Sequence, residues 1–482
     1  MGVLSELEPH GVFYFFEEIS KIPRGSYHEK AVSDYLVEFA KKRELKVYQD
    51  DLYNVVMLVP ASAGREQEEP LILQGHMDMV CEKKPDADID MEKDGLKLRI
   101  EGDYVTAKDT TLGGDDGIAV AYMLAIADDA SISHPPLEYI ITVSEEVGME
   151  GANRIDLSML KGSRMLNLDS EEEGIFLSSC AGGLSTQSVL PVEREESREL
   201  VWYELSVTGL QGGHSGCEID KERGNASLIL GRVLYEIQHK LSFALYSMEG
   251  GKKDNAIPLE AAAQIGVEQS DTGLLWETCQ MLDSVLKSEY ARADSGITLR
   301  LEEQGTKSRA ALTQDSLFKV LTLLMVLPNG VQGMSMSVPG LVETSLNLGI
   351  LKLEENHLFL QHAIRSSVTT KKHYTASRVE SLVRALGGET KRQGEYPAWE
   401  YKEESVVRPK VTALYEKMYG KAPVVEGIHA GLECGLLAGK IKDLDCVSLG
   451  PDILDIHTTA ERLSISSTKR VYEFLLEYLK EK

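Results

Sequence analysis

A chain of 482 residues exceeds the ~250–300 residues at which a single hydrophobic core stops growing, so two domains are expected. With 51 basic against 77 acidic side chains and a formal charge of −26, it would be repelled by nucleic acid and by anionic membrane, and neither is expected as a partner. The six cysteines, Cys81, Cys180, Cys217, Cys279, Cys434 and Cys446, form no CxxC pair, which signals neither a disulfide framework nor a structural zinc knuckle.

The first residues, MGVLSELEPHGVFYFFEE, carry acid where a signal peptide carries base, and no run reaches the ~18 apolar residues of a membrane span. A cytoplasmic location is expected. SYHE, from Ser26 to Glu29, has the spacing of a capping box ahead of an amphipathic helix, KAVSDYLVEFAKK. Strands are predicted at NVVMLV and LILQG, a hairpin near DGLKLRIEGDYVTA, a helix over GGDDGIAVAYMLAIADD, and strands at LEYIITV and SRMLNL. This alternation predicts an α/β sheet with its functional groups at strand ends.

After about Ala181 the texture changes to alternating strands such as LVWYELSV and two long helical stretches around ASLILGRVLYEIQHK and SLFKVLTLLMVL, which suit an α+β insertion. From Gly394 to Pro409 a stretch rich in Glu, Lys and Pro hands over to VTALYEKMYG, VVEGIHAGLECGLLAG, LDCVSLG and a terminal helix. The expectation is a discontinuous first domain, residues 1–182 and 396–482, interrupted by a second domain at 183–395.

Four clusters of acid and histidine fall where predicted strands give way to loops or helices, and a fifth lies near the C-terminus. They are His76 with Asp78 (GHMD), Asp115 with Asp116 (LGGDDG), Glu145 with Glu146 (VSEEVG), Asp169 (LNLDSEE) and His457 (DIHTTAE). Adjacent carboxylates at strand ends are costly unless positive charge sits among them. A pair of divalent metals meets that need, and two imidazoles with several carboxylates form the mixed nitrogen and oxygen shell that suits zinc, manganese or cobalt. Metals ~3.5–4 Å apart need a bridging carboxylate. Asp115, flanked by Gly113, Gly114 and Gly117, is the best placed. Glu145 and Glu146 point opposite ways in an extended chain, so one can bind metal while the other faces substrate as general base.

Together QGHMDMV, TTLGGDDGIAVA, TVSEEVGMEGA, NLDSEEEG and DIHTTAE resemble the M20 metallopeptidases, in family order, and within them the cytosolic aminoacyl-histidine (Xaa-His) dipeptidase branch. ISKIPRGSYHE and GIHAGLECG extend the likeness over nearly the whole chain. The resemblance implies a zinc-exopeptidase-like catalytic domain, a mixed sheet flanked by helices, with an inserted α+β lid domain. It implies two divalent cations, zinc first and cobalt or manganese as alternatives. His76 and Asp169 would bind one, Glu146 and His457 the other, and Asp115 would bridge them across a cis peptide bond to Asp116. Asp78 would accept a hydrogen bond from the His76 ring, and Glu145 would be the general base.

For the inserted domain the resemblance implies that His214, in GLQGGHSG, stabilises the oxyanion, and that Asn255 (KKDNAIP) and Arg365 (AIRSS) hold the substrate's backbone and C-terminal carboxylate. His429 and Glu433, in GIHAGLECG, fall where the family lines its substrate cleft, with Glu433 a partner for a free N-terminal amine. The expected activity is hydrolysis of dipeptides with a free N-terminus, Xaa-His including β-Ala-His. Rival expectations are a tripeptidase, a carboxypeptidase, a deacylase of N-acyl amino acids, or a silent metal-stabilised scaffold. A homodimer through the lid domain is a further possibility. Nucleotide-binding enzymes are disfavoured, because neither GxGxxG nor GxxxxGK[ST] occurs.

Overall fold

The computed structural model describes residues 2–481. It divides into two compact units, the first made of Met1–Ser179, Tyr401–Gly427 and Leu432–Lys482, the second of Cys180–Glu400 and Ile428–Gly431.

The first unit is built on an eight-stranded mixed sheet in the order Lys46–Gln49, Val55–Val59, Leu137–Thr142, Leu71–His76, Arg164–Asn167, Asp445–Ser448, Ile175–Cys180 and Val424–Ile428. Leu137–Thr142, Leu71–His76, Arg164–Asn167 and Asp445–Ser448 run parallel to one another, and the strands flanking them, Val55–Val59 and Ile175–Cys180, pair antiparallel. Every residue of Leu71–His76 and of Leu137–Thr142 is buried, as parallel strands covered on both faces must be, which is why they read as near-continuous apolar runs. The helix Gly114–Asp128 is buried continuously from Asp116 to Ile126 and is apolar all round, the mark of a core helix. Its Ile118 and Tyr122 join Phe13 and Phe16 of the helix His10–Ser20 and Phe474 of Ile465–Lys480 in one core. The predicted hairpin forms at Leu98–Glu101 and Tyr104–Ala107.

The capping box expected at Ser26 to Glu29 does not form, although the helix it should open is present at Lys30–Lys42. Glu29 stands at the N-cap without a side-chain cap bond. Its carboxylate accepts instead from the backbone N–H and the hydroxyl of Ser144, at 3.0 and 2.9 Å. Ser26 donates to Asp78 at 2.8 Å. Tertiary partners have taken both side chains.

The second unit carries a nine-stranded sheet whose main path runs Thr298–Lys307, Leu200–Thr208, Ala261–Val267, Ala244–Gly250, Val342–Leu353, His357–Ser366, Gly182–Pro191 and Glu389–Tyr396, with Gly330–Met334 paired to Val342–Leu353. All its recorded pairings are antiparallel. Burial alternates strictly along His357–Ser366, the signature of a sheet with one face covered. Helices Ala226–Gln238, Thr272–Glu289, Gln314–Val326 and Thr369–Ala385 supply Leu230, Leu282, Leu321 and Val379 to that core. Asn225 and Thr313 cap two of them through backbone N–H groups, as their residue types favour. Among the described residues no helix is long and apolar enough to cross a membrane.

Candidate active site

Three parallel strands deliver the candidate residues to one edge of the first sheet. His76 pairs with Thr142, and Gln74 with both Ile140 and Asn167, so His76 and Asp78, Glu145 and Glu146, and Asp169 leave adjacent strands together. Gly75 makes the close approach possible. A Cβ there would lie 2.3 Å from Asp116 Oδ2 and 2.6 Å from the Ala119 Cβ, so only a glycine lets the start of Gly114–Asp128 settle on the strand. The His76 N–H then donates to Asp116 Oδ2 at 3.2 Å. Asp115 follows Gly113, whose φ is +66°, and the Asp115–Asp116 peptide is cis.

The side chains converge around Asp115. His76 Nε2 lies 3.0 Å from Asp115 Oδ1 and 3.4 Å from Asp169 Oδ1. His457 Nε2 lies 3.2 Å from Asp115 Oδ2 and 3.0 Å from Glu146 Oε2. Each oxygen of Asp115 therefore faces a different imidazole, and each imidazole has a second carboxylate beside it. Donors held ~2.0–2.2 Å from a tetrahedral zinc are about 3.3–3.5 Å apart, close to these separations. Glu146 Oε1 is buried with no hydrogen-bond partner, an acceptor left for something other than protein. His76, Asp116 and Asp169 also bring one donor atom each within 4.8 Å of one another, as do His76, Glu145 and Glu146. The donor set and its spacing fit divalent cations. Asp115 suits the shared position better than Asp116, whose carboxylate is committed to the His76 backbone.

Like charges crowd this edge. Burial, reinforced by Asp169, Glu433 and Glu146, holds the Glu145 carboxyl well above its ordinary range. Burial moves Asp169 to about 6 and Glu171 to about 7, with Asp115 and Glu146 adding to both. For His76, burial opposes charge, but Asp169, Asp115 and Asp78 outweigh it and raise the imidazole well above its usual value. Hydrogen bonds to Asp115 and Glu146 raise His457 to about 10. Cations placed among these carboxylates would relieve the repulsion and displace the protons.

Several buried groups fix the loops. Asp78 is fully buried, and its carboxylate lies 3.3 Å from His76 Nδ1 and accepts from Ser26 and from the backbone N–H groups of Glu145 and Glu146. Arg24 donates to the carbonyls of Met77, Asp78 and Gly113 at 2.9, 3.1 and 2.5 Å. Glu461 accepts from the backbone N–H groups of Leu112, Gly113 and Gly114 at 2.6, 2.9 and 2.7 Å. Both lie inside the motifs IPRGSYHE and DIHTTAE, where no local signal sets them apart from the other charged residues of the same stretch. Glu433 is fully enclosed, with Oε2 accepting from Gln74 and Thr142 at 2.6 Å each and Oε1 unpartnered. Gln74 in turn accepts from Asn167 at 2.6 Å. Burial pushes the Glu433 carboxyl up to about 8.

In the second unit His214, Arg365 and His429 meet around Gly216. A Cβ on Gly216 would lie 2.9 Å from His214 Cε1, 3.1 Å from Arg365 Nε and 2.8 Å from the His429 carbonyl oxygen. His214 Nδ1 accepts from the backbone N–H groups of Gly216 and Cys217 at 3.3 and 3.1 Å, which places its proton on Nε2. Burial and then Arg365 lower its pKa, so the ring is a neutral donor. Burial brings His429 down to about 3, and its Nε2 sits 2.7 Å from the Ser345 hydroxyl. Asn255 lies across the short pairing of His214 with Ala256, its carbonyl accepting from Ser215 at 2.9 Å. With His214 it lines a cavity of about 850 Å³.

Comparison with known proteins places this arrangement. A cytosol non-specific dipeptidase of Escherichia coli (strain K12) is 37% identical over 482 residues, 100% of this chain and 99% of the relative. The chain belongs to the M20 peptidase family. The family model for the peptidase dimerisation domain matches residues 196–294, within the second unit. The crystal structure of the aminoacylhistidine dipeptidase from Vibrio alginolyticus superposes with a TM-score of 0.94 at 35% identity, covering 99% of this chain and 98% of that one. An aminopeptidase PepT from Bacillus cereus, with a TM-score of 0.58 at 15% identity over 98% of both chains, shares the fold. The mixed α/β M20 fold expected from the motifs is the fold observed.

Proposed function

We propose that the chain is a dinuclear metal-dependent dipeptidase acting on dipeptides with a free N-terminus, with Xaa-His substrates, β-Ala-His among them, preferred. The observation that carries this reading is Asp115, one oxygen toward His76 and Asp169 and the other toward His457 and Glu146. The names of the two full-length relatives, a non-specific dipeptidase and an aminoacylhistidine dipeptidase, supply the substrate class.

In this reading His76 and Asp169 hold one cation, Glu146 and His457 the other, and Asp115 both. Zinc is favoured by the nitrogen and carboxylate donors, with cobalt or manganese tolerated by the same set. Bound there, the pair supplies Lewis acidity, acidifying water toward neutrality and polarising a carbonyl. Glu145, within 4.8 Å of His76 and Glu146, takes the proton from water and returns it to the leaving amine. Its raised affinity for a proton suits that shuttle. Asp78 fixes the His76 ring and the backbone of Glu145 and Glu146. The neutral His214 offers its Nε2–H to the oxyanion. Asn255, Arg365 and His429 hold the substrate's backbone and carboxylate, and Glu433 the side of the site where its amine lies.

Residues 1–182 and 396–482 act as the catalytic domain and 183–395 as a lid that closes on the substrate, with dimerisation through the lid. The compartment is the cytosol, as in the name of the E. coli relative. The test is release of free amino acids by zinc- or manganese-loaded protein from β-Ala-His, Ala-His, Ala-Ala, Ala-Ala-Ala and N-acetyl-alanine. Cleavage confined to dipeptides, histidine ones fastest, supports the reading. Preferential cleavage of the tripeptide or the acetyl compound overturns it.

A further inference from the structure

Arg365 is a guanidinium without an acid. Among the described residues no carboxylate forms an ion pair with it, its neighbours His214 and His429 are both shifted toward the neutral form, and its Nε is buried with no hydrogen-bond partner. A buried donor of this kind is costly unless a ligand completes it. One contact fixes the group: Nη1 donates to the Tyr396 hydroxyl at 2.9 Å.

That contact spans three strands. Arg365 pairs with Gly183, and Gly183 with Tyr396, so the three stand side by side on one face of the sheet, the glycine in the middle. Adjacent strands are ~4.8 Å apart, and a side chain on the central strand would normally separate the outer two. Gly183 removes it. A Cβ there would fall 2.2 to 2.5 Å from Tyr396 Cε1, Cζ and Oη, because the phenol ring lies over the glycine to reach the arginine. On its far side the Arg365 Nε packs close to Gly216, where a Cβ would come 3.1 Å from it. The guanidinium is thus held by a phenol at one Nη, while the buried Nε, beside Gly216 and near the His214 ring, keeps its N–H unpaired, one half of the fork of two parallel N–H bonds that a carboxylate takes. Burial raises the Tyr396 pKa, so the hydroxyl keeps its proton and stays a neutral acceptor for Nη1.

We infer that Tyr396 is a specificity-determining positioning residue: laid across Gly183, it sets the Arg365 guanidinium so that the Nε edge receives the C-terminal carboxylate of the dipeptide. The inference rests on the reading that Arg365 takes that carboxylate.

The experiment is a double-mutant cycle on the full-length, metal-loaded enzyme, with Tyr396→Phe, Arg365→Ala and the pair, assayed on Ala-His and Ala-Ala, which share the carboxylate but not the second side chain. Tyr396→Phe is expected to raise KM about tenfold for both, the size of one lost hydrogen bond to a charged group, with kcat within twofold. In the Arg365→Ala background it should cost less than a further twofold. Gly183→Ala keeps the hydroxyl but displaces the ring, and should reproduce the KM effect; matched thermal midpoints show that each variant folds. An unchanged KM in Tyr396→Phe, or an undiminished effect in the Arg365→Ala background, overturns the inference while leaving Arg365 in place. An unchanged KM in Arg365→Ala removes the carboxylate reading itself, and absence of dipeptide hydrolysis by the unaltered enzyme removes both.

Discussion

Replacing Asp78 by Asn changes one atom and one charge in the interior. The carboxylate has donors around both oxygens: Oδ1 lies 3.3 Å from His76 Nδ1 and accepts from the Glu145 N–H at 3.1 Å, while Oδ2 accepts from Ser26 at 2.8 Å and the Glu146 N–H at 3.3 Å. An amide keeps one oxygen. The less costly orientation puts its NH2 at Oδ2, where the Ser26 hydroxyl can turn to accept, leaving the Glu146 N–H unpaired at a cost of about 1–3 kcal/mol. His76 keeps a second acceptor, the Asp78 carbonyl at 3.2 Å from Nδ1, so the tautomer survives and the loss at the ring is one of charge. Removing such a partner from a metal-ligating histidine lowers metal affinity ~10–100-fold, and with the carbonyl still in place the lower end, about tenfold, is expected. The assay is competitive titration of the metal-free protein with zinc against a chelator, alongside kcat at saturating metal. Affinity within twofold of the unaltered protein would refute the positioning role. A loss beyond about a thousandfold would show that Asp78 itself ligates.

Glu145→Gln should bind metal with unaltered stoichiometry and lose about 10²–10⁴ in kcat, and retention of more than a tenth of the rate would remove Glu145 from the base role. In the metal-free protein the raised His76 and the His457 value of about 10 mean that both rings hold protons at neutral pH, whereas a ligating imidazole is neutral. Metal uptake should therefore release protons and tighten as pH rises toward 10, and calorimetric enthalpies independent of buffer ionisation heat would contradict this. Glu433 titrates near 8 in the fold against 4.5 as its ordinary value, so the folded state binds the extra proton. The stability from burying the neutral acid is complete below about 4.5 and is lost as pH rises to about 8. Glu433→Gln should decline less steeply across that window than the metal-free parent, in which Asp169 and Glu171 also titrate; parallel curves would contradict it.

The clusters were legible because parallel strands converted sequence position into spatial position. Three of them fell just past apolar runs, and those runs became adjacent parallel strands with matched ends. His457, far along the chain, was legible only by resemblance, since nothing local distinguishes DIHTTAE from a surface loop. The capping box failed because Ser26 and Glu29 found partners, Asp78 and Ser144, that are far away in sequence, and local spacing carries no information about such competition. Arg24, Glu461 and the tie of Glu433 to Gln74, Thr142 and Asn167 were not legible for the same reason: their function lies in which backbone or side chain they meet. Tyr396 is the extreme case, since it reaches Arg365 from two strands away only because Gly183, on the strand between them, has no side chain.

The most direct test of the central claim is anomalous diffraction at the zinc edge from crystals of the zinc-loaded protein. Two peaks about 3.5–4 Å apart, one beside His76 and Asp169, the other beside His457 and Glu146, with an Asp115 oxygen on each, are predicted. A single peak, or a site held by Asp116 in place of Asp115, would contradict the account.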